Sequence, residues 1–587
     1  MENKVKKIPY GISDYERVIA DGYYYVDKTM YIEKIELSPS FLFLVRPRRF
    51  GKSLFLSMIS DYYDINKAQR FEALFGDQYI YNHPTQDRGK YLILSFNFSM
   101  VNSDPNFLRD SFEEHCSEQC DAFANKYEHL FTANFKKVYQ TKISSGARIQ
   151  YLARMCSENN LHIYVIIDEY DKFASNILST EGHQSYHQIS HGAGFYRSFF
   201  SILKGITTGS GAAVQRMLIM GVSPITLDDL TSGFNIGSNI TLEPKYNGVI
   251  GFSENELHTM LSYFKKQGCI EHSVEEMIET MRPWYNNYCF AEECLGDNMY
   301  NSDMALFYLD SYINSKKIIL KNMVDKNIQT DYNQLRKLAA WDAENTENFS
   351  AIQELIDTGQ TAATINISFP AESIIDTSNF KSLLFYFGMV SIAGVSRGEV
   401  ILKIPNLVVQ EQLFRYLIEG YKSLLNISIN IHELAQKTQA MAYDGEWKPV
   451  FDLISSKLQE ASVVREFIEG EAHVKGFMLA YLGLTSHFII HPEYEASKGY
   501  ADFYFQANFH RHPEMKHRYI VEIKYLKRDA KDIDIVKAKE DAKQQLQRYA
   551  ADPKVKNDKG DAQLHLVAVV FKGWEVVDSF TSPLLSS

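Results

Sequence analysis

Long apolar runs are missing from this chain. No stretch approaches the ~20 consecutive apolar residues that a bilayer-crossing helix needs, which argues against a membrane-spanning protein of helical type. Cysteine is scarce: Cys116, Cys120, Cys156, Cys269, Cys289 and Cys294 form no C-x-x-C pair and no repeated spacing. A disulfide scaffold or zinc framework is therefore not expected, and the thiols read as reduced ones of a cytosolic protein. The opening residues MENKVKKIPYGISDYERV carry charge but lead into no apolar segment, so a secretory signal is not expected and the location is read as cytoplasmic. Surplus positive charge is also absent. A formal net charge of −12 excludes wholesale coating of nucleic acid but leaves room for a local basic groove. No internal repeat and no low-complexity linker stands out.

What is present is the composition of an ordinary globular protein, 45% hydrophobic and 23% charged, over 587 residues. That length exceeds one hydrophobic core and suggests about two to four domains. Up to about residue 250, short apolar runs alternate with helical stretches: Phe41 to Val45, Tyr91 to Leu94, Ile163 to Ile167 and Met217 to Met220. Runs this short and continuous suit strands buried on both faces, as in a parallel sheet covered by helices. An α/β domain is expected over 1–250. From 251 to 435, amphipathic segments such as Asn255 to Lys265 and Ser382 to Phe387 predict a helical middle region. Over 436–587 the pattern is a helix (Phe467 to Leu484), strands at 500–507 and 518–525, a basic helix at about 532–550 and a strand from Leu564 to Phe571. That order predicts a second, smaller α/β unit.

The first chemistry lies where the strand from Phe41 runs through Arg46-Pro-Arg-Arg-Phe50 into Gly51-Lys52-Ser53 and a helix with Phe55, Met58, Ile59 and Tyr62 on one face. A phosphate chain is held by backbone N–H groups at a helix N-terminus, a lysine for the β/γ charge and a hydroxyl for Mg²⁺. Lys52 and Ser53 stand where those roles require, with Arg49, Phe50 and Gly51 supplying the loop. The first glycine of G-x-x-x-x-G-K-[ST] is replaced by Arg46, and a Gly-Lys-Ser tripeptide alone also fits a chance helix start. Ile163 to Ile167 leads into Asp168-Glu169, however, on a second buried strand. Asp168 suits the Mg²⁺ shell and Glu169 suits polarising the attacking water. Two such signatures in order in one α/β domain point to an ATP site. Ser223, at the end of a third strand, reads equally as a γ-phosphate sensor or as a plain strand-to-loop serine.

Tyr25-Val-Asp-Lys-Thr29, Arg46 to Ser53, Ile167-Asp-Glu-Tyr-Asp171, Gly221-Val-Ser-Pro224 with Ser232-Gly-Phe-Asn235, Trp284-Tyr-Asn-Asn-Tyr288 and Tyr300-Asn301 resemble the bacterial AAA-ATPase-like family. Members of that family usually end in a PD-(D/E)xK nuclease domain, a restriction-endonuclease-like α/β fold. The resemblance implies ATP binding, a P-loop without its first glycine, and a capacity for self-association into a homo-oligomer.

The C-terminal segment supplies Asp502 on one strand and Glu522-Ile523-Lys524 on the next. Alternate residues of a strand share a face, so Glu522 and Lys524 point the same way. Two carboxylates on adjacent strands make a hard-oxygen pocket for Mg²⁺ or Mn²⁺, and Lys524 suits positioning water or offsetting phosphate charge. Glu471 falls on the apolar stripe of its helix with Phe467, Val474 and Met478, and a buried carboxylate there needs a partner or a metal. Gln545 stands where the family often has an active-site glutamine. Tyr500 and Lys475 depart from the arginine and histidine often found at those places. The D…ExK pattern alone also fits a salt-bridged strand pair. His510, His512 and His517 read as a solvated loop. The basic runs 516–518 and 524–531 read either as a DNA-facing ridge or as a wetted face. The functional expectation is an ATPase coupled to a Mg-dependent nuclease acting on DNA. The alternative is a nucleotide-regulated protein that binds nucleic acid or a partner through an inactive nuclease-like domain.

Overall fold

Every apolar run singled out in the N-terminal segment forms a strand, because only a sheet covered on both faces removes such runs from water. In the computed structural model β1 is Phe41–Val45, β2 Tyr91–Asn97, β3 His162–Asp168, β4 Val214–Gly221 and β5 the two-residue Ser238–Asn239. They form one sheet in the order β2-β3-β4-β1-β5, with parallel pairing throughout. Phe43, Leu44, Val165, Ile167, Leu218 and Ile219 are each at most 1% exposed. Side chains buried to this degree contribute about 1.5–3 kcal/mol apiece. The structure describes all residues except 1–4, 182, 191–193, 210, 226–235, 316, 321, 326–345, 426, 461–470, 497–498, 510, 551–552, 554–561 and 583–587. Ser232 to Asn235 and Phe467 therefore lie outside the described residues.

The chain forms two compact units: Met1–Ile318 with Asp325–Trp341 and Ala363–Asn406, and Leu407–Ser587 with Ile319–Val324 and Asp342–Ala362. In the first unit, α1 (Lys52–Tyr63) leaves the end of β1 and packs on β2 and β3. The middle stretch is helical, with small strand pairs. Its α2 (Glu254–Lys266) starts in a capping box between Ser253 and Glu256, and its α3 (Ser302–Asn314) is capped by the Asn301 side chain. An antiparallel hairpin joins Ser391–Ser396 to Glu399–Lys403.

The second unit carries α4 (Glu471–Leu482), then β6 (Phe488–Ala496), β7 (Gly499–Ala507), β8 (His517–Leu526), α5 (Asp532–Ala550), β9 (Gln563–Lys572) and β10 (Glu575–Ser582). The five strands stand in chain order, antiparallel except for β8 and β9, whose parallel pairing is made possible by the crossing helix α5. Ala542, Leu546 and Tyr549 of α5 pack on Tyr504, Ile520, Leu566 and Ala568 of the sheet. Strands β6 and β10 extend the sheet beyond the three expected strands. Among the described residues no helix is long and apolar enough to cross a membrane.

Candidate functional site

The P-loop departs from its usual form at Arg46, and the geometry explains why the arginine fits. Arg46 is fully buried and its side chain turns into the protein. Nη1 donates to the carbonyls of Val45 at 3.0 Å and Thr241 at 2.7 Å, Nη2 to that of Tyr246 at 2.9 Å, and the guanidinium lies over the Phe290 ring at 4.2 Å. Burial pulls its pKa down to about 9, yet it stays charged at neutral pH. The left-handed positions of this loop are Arg49 (φ 66) and Gly51 (φ 91), so position 46 itself does not need glycine.

Gly51 caps α1, and Lys52 opens it. The buried Lys52 ammonium donates to the carbonyls of Pro47 at 2.8 Å and Arg46 at 3.1 Å. Burial lowers its pKa, while Glu169, Asp168 and Asp171 oppose the shift. Ser53 Oγ donates to Asp168 Oδ2 at 2.5 Å, which brings the two expected Mg²⁺ oxygens together from β3 and α1. Burial raises the Asp168 carboxyl. Both oxygens are hard donors, so the pair fits that ion. Glu169 sits in left-handed backbone (φ 51), a conformation costing roughly 1–2 kcal/mol in a non-glycine residue. A cavity of about 400 Å³ is lined by Arg49, Phe50, Gly51, Lys52, Ser53 and Glu169 together with Tyr24, Tyr25, Ile250 and Asp303.

Ser223 is fully buried and does not line this cavity. Its N–H donates to Asp171 Oδ2 at 2.7 Å, its carbonyl accepts from Tyr170 and its hydroxyl accepts from Ile225 N. Asp171, which the motif reading left without a role, ties the β3 end to the β4 end, since Val222 N also donates to it. Gly221 permits this, because a Cβ there would overlap Asp171 and Tyr170. The loop is also closed from far along the chain. Asp303 N donates to the Arg49 carbonyl at 3.1 Å, Gly251 N to that of Phe50 at 2.9 Å, and Asn301 Nδ2 to that of Arg48 at 3.3 Å. The Arg49 guanidinium pairs with Asp303 at 2.8 Å. Of these distant residues, only Asn301 belongs to a segment singled out in the sequence, and there by family resemblance alone. Arg282 pairs with Glu254 on the surface.

In the second unit, β7 and β8 pair through Phe503 and Val521, so one step along Asp502 comes opposite Glu522. Both are buried. Asp502 Oδ2 accepts from Ile523 N at 2.6 Å, and Lys524 Nζ donates to Glu522 Oε1 at 2.7 Å, as their shared face predicts. Glu522 Oε2 is buried without a hydrogen-bond partner among the described residues, and so is Gln545 Oε1 on α5. Burial, then the charge of Asp502, pushes the Glu522 carboxyl up to about 7. A buried carboxylate oxygen left open in this way fits a hard divalent cation. No cluster of three His, Cys, Asp or Glu side chains suited to a metal is assembled among the described residues. The Lys475 ammonium contacts Asp502 Oδ1.

Glu471 differs from its expected setting. Its side chain, in the first turn of α4, is 40% exposed and pairs with Lys475 at 3.0 Å, while Val474 and Met478 are buried. Lys524, Lys527, Lys531 and Lys537 line an open cleft of about 730 Å³ with Asp529, Asp534 and Asp541. His512 and His517 are not a solvated loop: His512 stacks on His487 and His517 bonds to His565. His510 lies outside the described residues.

Comparison with known proteins adds the family context. A protein described as uncharacterized, from the vnfD 5′ region of Azotobacter chroococcum mcd 1, is 26% identical over 309 residues, 52% of this chain and 52% of that protein. The match thus spans about half the length of the curated relative. Among solved structures, Cdc6p from Pyrobaculum aerophilum aligns at 13% identity with a TM-score of 0.26, over 67% of this chain and 92% of that one. The Aeropyrum pernix Orc1 protein in complex with DNA aligns at 10% identity with a TM-score of 0.25, over 71% and 95%. Residues 9–231 match the family described as "Predicted AAA-ATPase", and residues 469–580 match the PD-(D/E)XK nuclease superfamily. These two matches give the chain its architecture, an AAA-ATPase-like domain followed by a domain of the PD-(D/E)XK nuclease superfamily.

Proposed function

We propose that this chain is an ATP-dependent, metal-requiring nuclease that acts on DNA, divided into an ATPase domain (1–250), a helical middle region (251–435) and a nuclease domain (436–587). The cavity at Lys52 would hold ATP with Mg²⁺. Lys52, now donating to the carbonyls of Arg46 and Pro47, would turn to the β/γ phosphates, Ser53 and Asp168 would hold the ion, and Glu169 would orient the attacking water. In the second unit Asp502, Glu522 and the carbonyl side of Gln545 would hold Mg²⁺ or Mn²⁺. When bound, such an ion lowers the pKa of water and draws charge from the scissile phosphate. Lys524 stands beside Glu522 to offset charge developing on that phosphate. The cleft that starts at Lys524 offers the ammonium groups of Lys524, Lys527, Lys531 and Lys537, set among Asp529, Asp534 and Asp541, for contact with backbone phosphates. The reading further includes a cytoplasmic location and self-association through the ATPase domain.

The observation that carries this reading is the buried Asp502–Glu522 pair, with one carboxylate oxygen open and Lys524 beside it. The test is cleavage of plasmid DNA with Mn²⁺ and ATP. Asp502→Ala is expected to abolish cutting and Lys52→Ala to abolish its stimulation by ATP. If both variants cut like the parent, the assignment of these residues is wrong. The second reading, a nucleotide-controlled protein that binds without cutting, is supported by the Lys475 ammonium on Asp502. Salt-sensitive DNA binding with no cleavage in either metal would favour it.

A further inference from the structure

One charged side chain at the C-terminal centre has no role in the D…ExK pattern. Lys475, on α4, is 9% exposed. Its ammonium contacts Asp502 Oδ1, Glu471 Oε1 at 3.0 Å and Glu493 Oε1 at 3.3 Å. Burial disfavours the charged amine, but Asp502, Glu471 and Glu493 outweigh it and hold the group protonated.

The sheet arranges these acids in a line. Pro492 pairs with Phe503 and Tyr494 with Ala501, so Glu493 comes opposite Asp502, which in turn comes opposite Glu522. Like charges directly opposite across strands repel. Glu493 is moreover held in left-handed backbone (φ 45). Lys475 is the cation that makes the Glu493–Asp502 end of the line tolerable. With Ile523 N on Asp502 Oδ2, both oxygens of that carboxylate are engaged. At the other end Glu522 Oε2 is buried without a hydrogen-bond partner among the described residues. Four carboxylates (Glu471, Glu493, Asp502, Glu522) meet two ammonium groups (Lys475, Lys524), leaving two formal negative charges, the charge of one divalent ion.

We propose that Lys475 is a built-in cation of this centre, filling its Asp502–Glu493 side so that the centre takes one divalent ion, on the Glu522 side, and not two. The inference rests on the metal-centre reading given under Proposed function. A second ion would need the Asp502 oxygen that the ammonium holds, and would lie within a few ångströms of a fixed positive charge. Lys475 is a positioning residue: it fixes Asp502 and sets the ion count.

The test is calorimetric titration of Mn²⁺ into the nucleotide-free full chain carrying Ser53→Ala, so that the P-loop contributes no ion. The parent and Lys475→Arg are expected to bind one ion, and Lys475→Met to bind a second ion or to bind the first at least ~tenfold more tightly. Glu522→Gln is expected to remove the parent's ion. Two ions in the parent, an unchanged count and affinity in Lys475→Met, or an ion that survives Glu522→Gln each overturn the role of Lys475. Binding of no ion by both the parent and Lys475→Met overturns the metal-centre reading itself, and the inference with it, whereas an ion bound by only one of the two overturns the role of Lys475. Should Lys475→Met fail to fold, the parent's ion count read by Mn²⁺ paramagnetic resonance decides, one supporting and two overturning.

Discussion

Arg46→Gly restores the glycine of the standard P-loop spacing, and the structure predicts that it damages the protein. The substitution strips the donors from the carbonyls of Val45, Thr241 and Tyr246, which remain buried. Each orphaned carbonyl costs about 1–2 kcal/mol, and the lost stacking on Phe290 roughly 1–2 more. The empty space and the added backbone freedom of glycine cost about another 2–3 kcal/mol. One effect runs the other way. Holding the guanidinium out of water depresses its pKa to about 9, and relief of that cost returns roughly 5 kcal/mol. The losses win by about 3 kcal/mol. Denaturant unfolding of the full chain, with the N-terminal transition identified by limited proteolysis, reads this as a lowered midpoint. ATP affinity is expected not to rise. An unchanged midpoint together with tighter ATP binding would refute the argument that Arg46 braces the loop from behind.

Burial, and then the charge of His512, lowers the His487 pKa from 6.5 to about 4. A depressed folded-state pKa contributes stability that is present above pH 6.5 and is lost as the pH falls toward 4, with a ceiling of roughly 3 kcal/mol. His487→Gln should flatten that part of the acid limb of stability against pH, and an identical limb in both proteins would dismiss the idea. Lys524→Met should lower the cleavage rate by about 10²–10³ while leaving Mn²⁺ affinity within a few-fold. A rate loss below tenfold would mean that Lys524 only balances the charge of Glu522.

The legible parts of this fold were those written locally. Continuous apolar runs at 41–45 and 163–167 announced covered strands, and the residues that follow them, Gly51-Lys52-Ser53 and Asp168-Glu169, meet through the Ser53–Asp168 bond. Glu522 and Lys524 share a face, as alternation along β8 requires. What escaped depends on register or on distant chain. Strand β6 contains Pro492 and a polar half, and β10 has the mixed pattern EVVDSFTS, so neither shows strict alternation. The expectation that Glu471 is buried failed because helical periodicity gives the stripe but not where the helix emerges. The partners of Arg46 lie about 200 residues away, at Thr241 and Tyr246, and no spacing rule reaches that far.

The strand order has a consequence for biosynthesis. Strand β4 lies between β3 and β1, so the acidic and the lysine-bearing edges of the cavity stay unjoined until Gly221 has been made. Asn301 and Asp303, which fasten the loop backbone, follow some 80 residues later. A ribosome must therefore translate about 250 residues past this turn before it can be locked. Competence for nucleotide arrives late, and a nascent chain stalled before β4 has no finished pocket to fill.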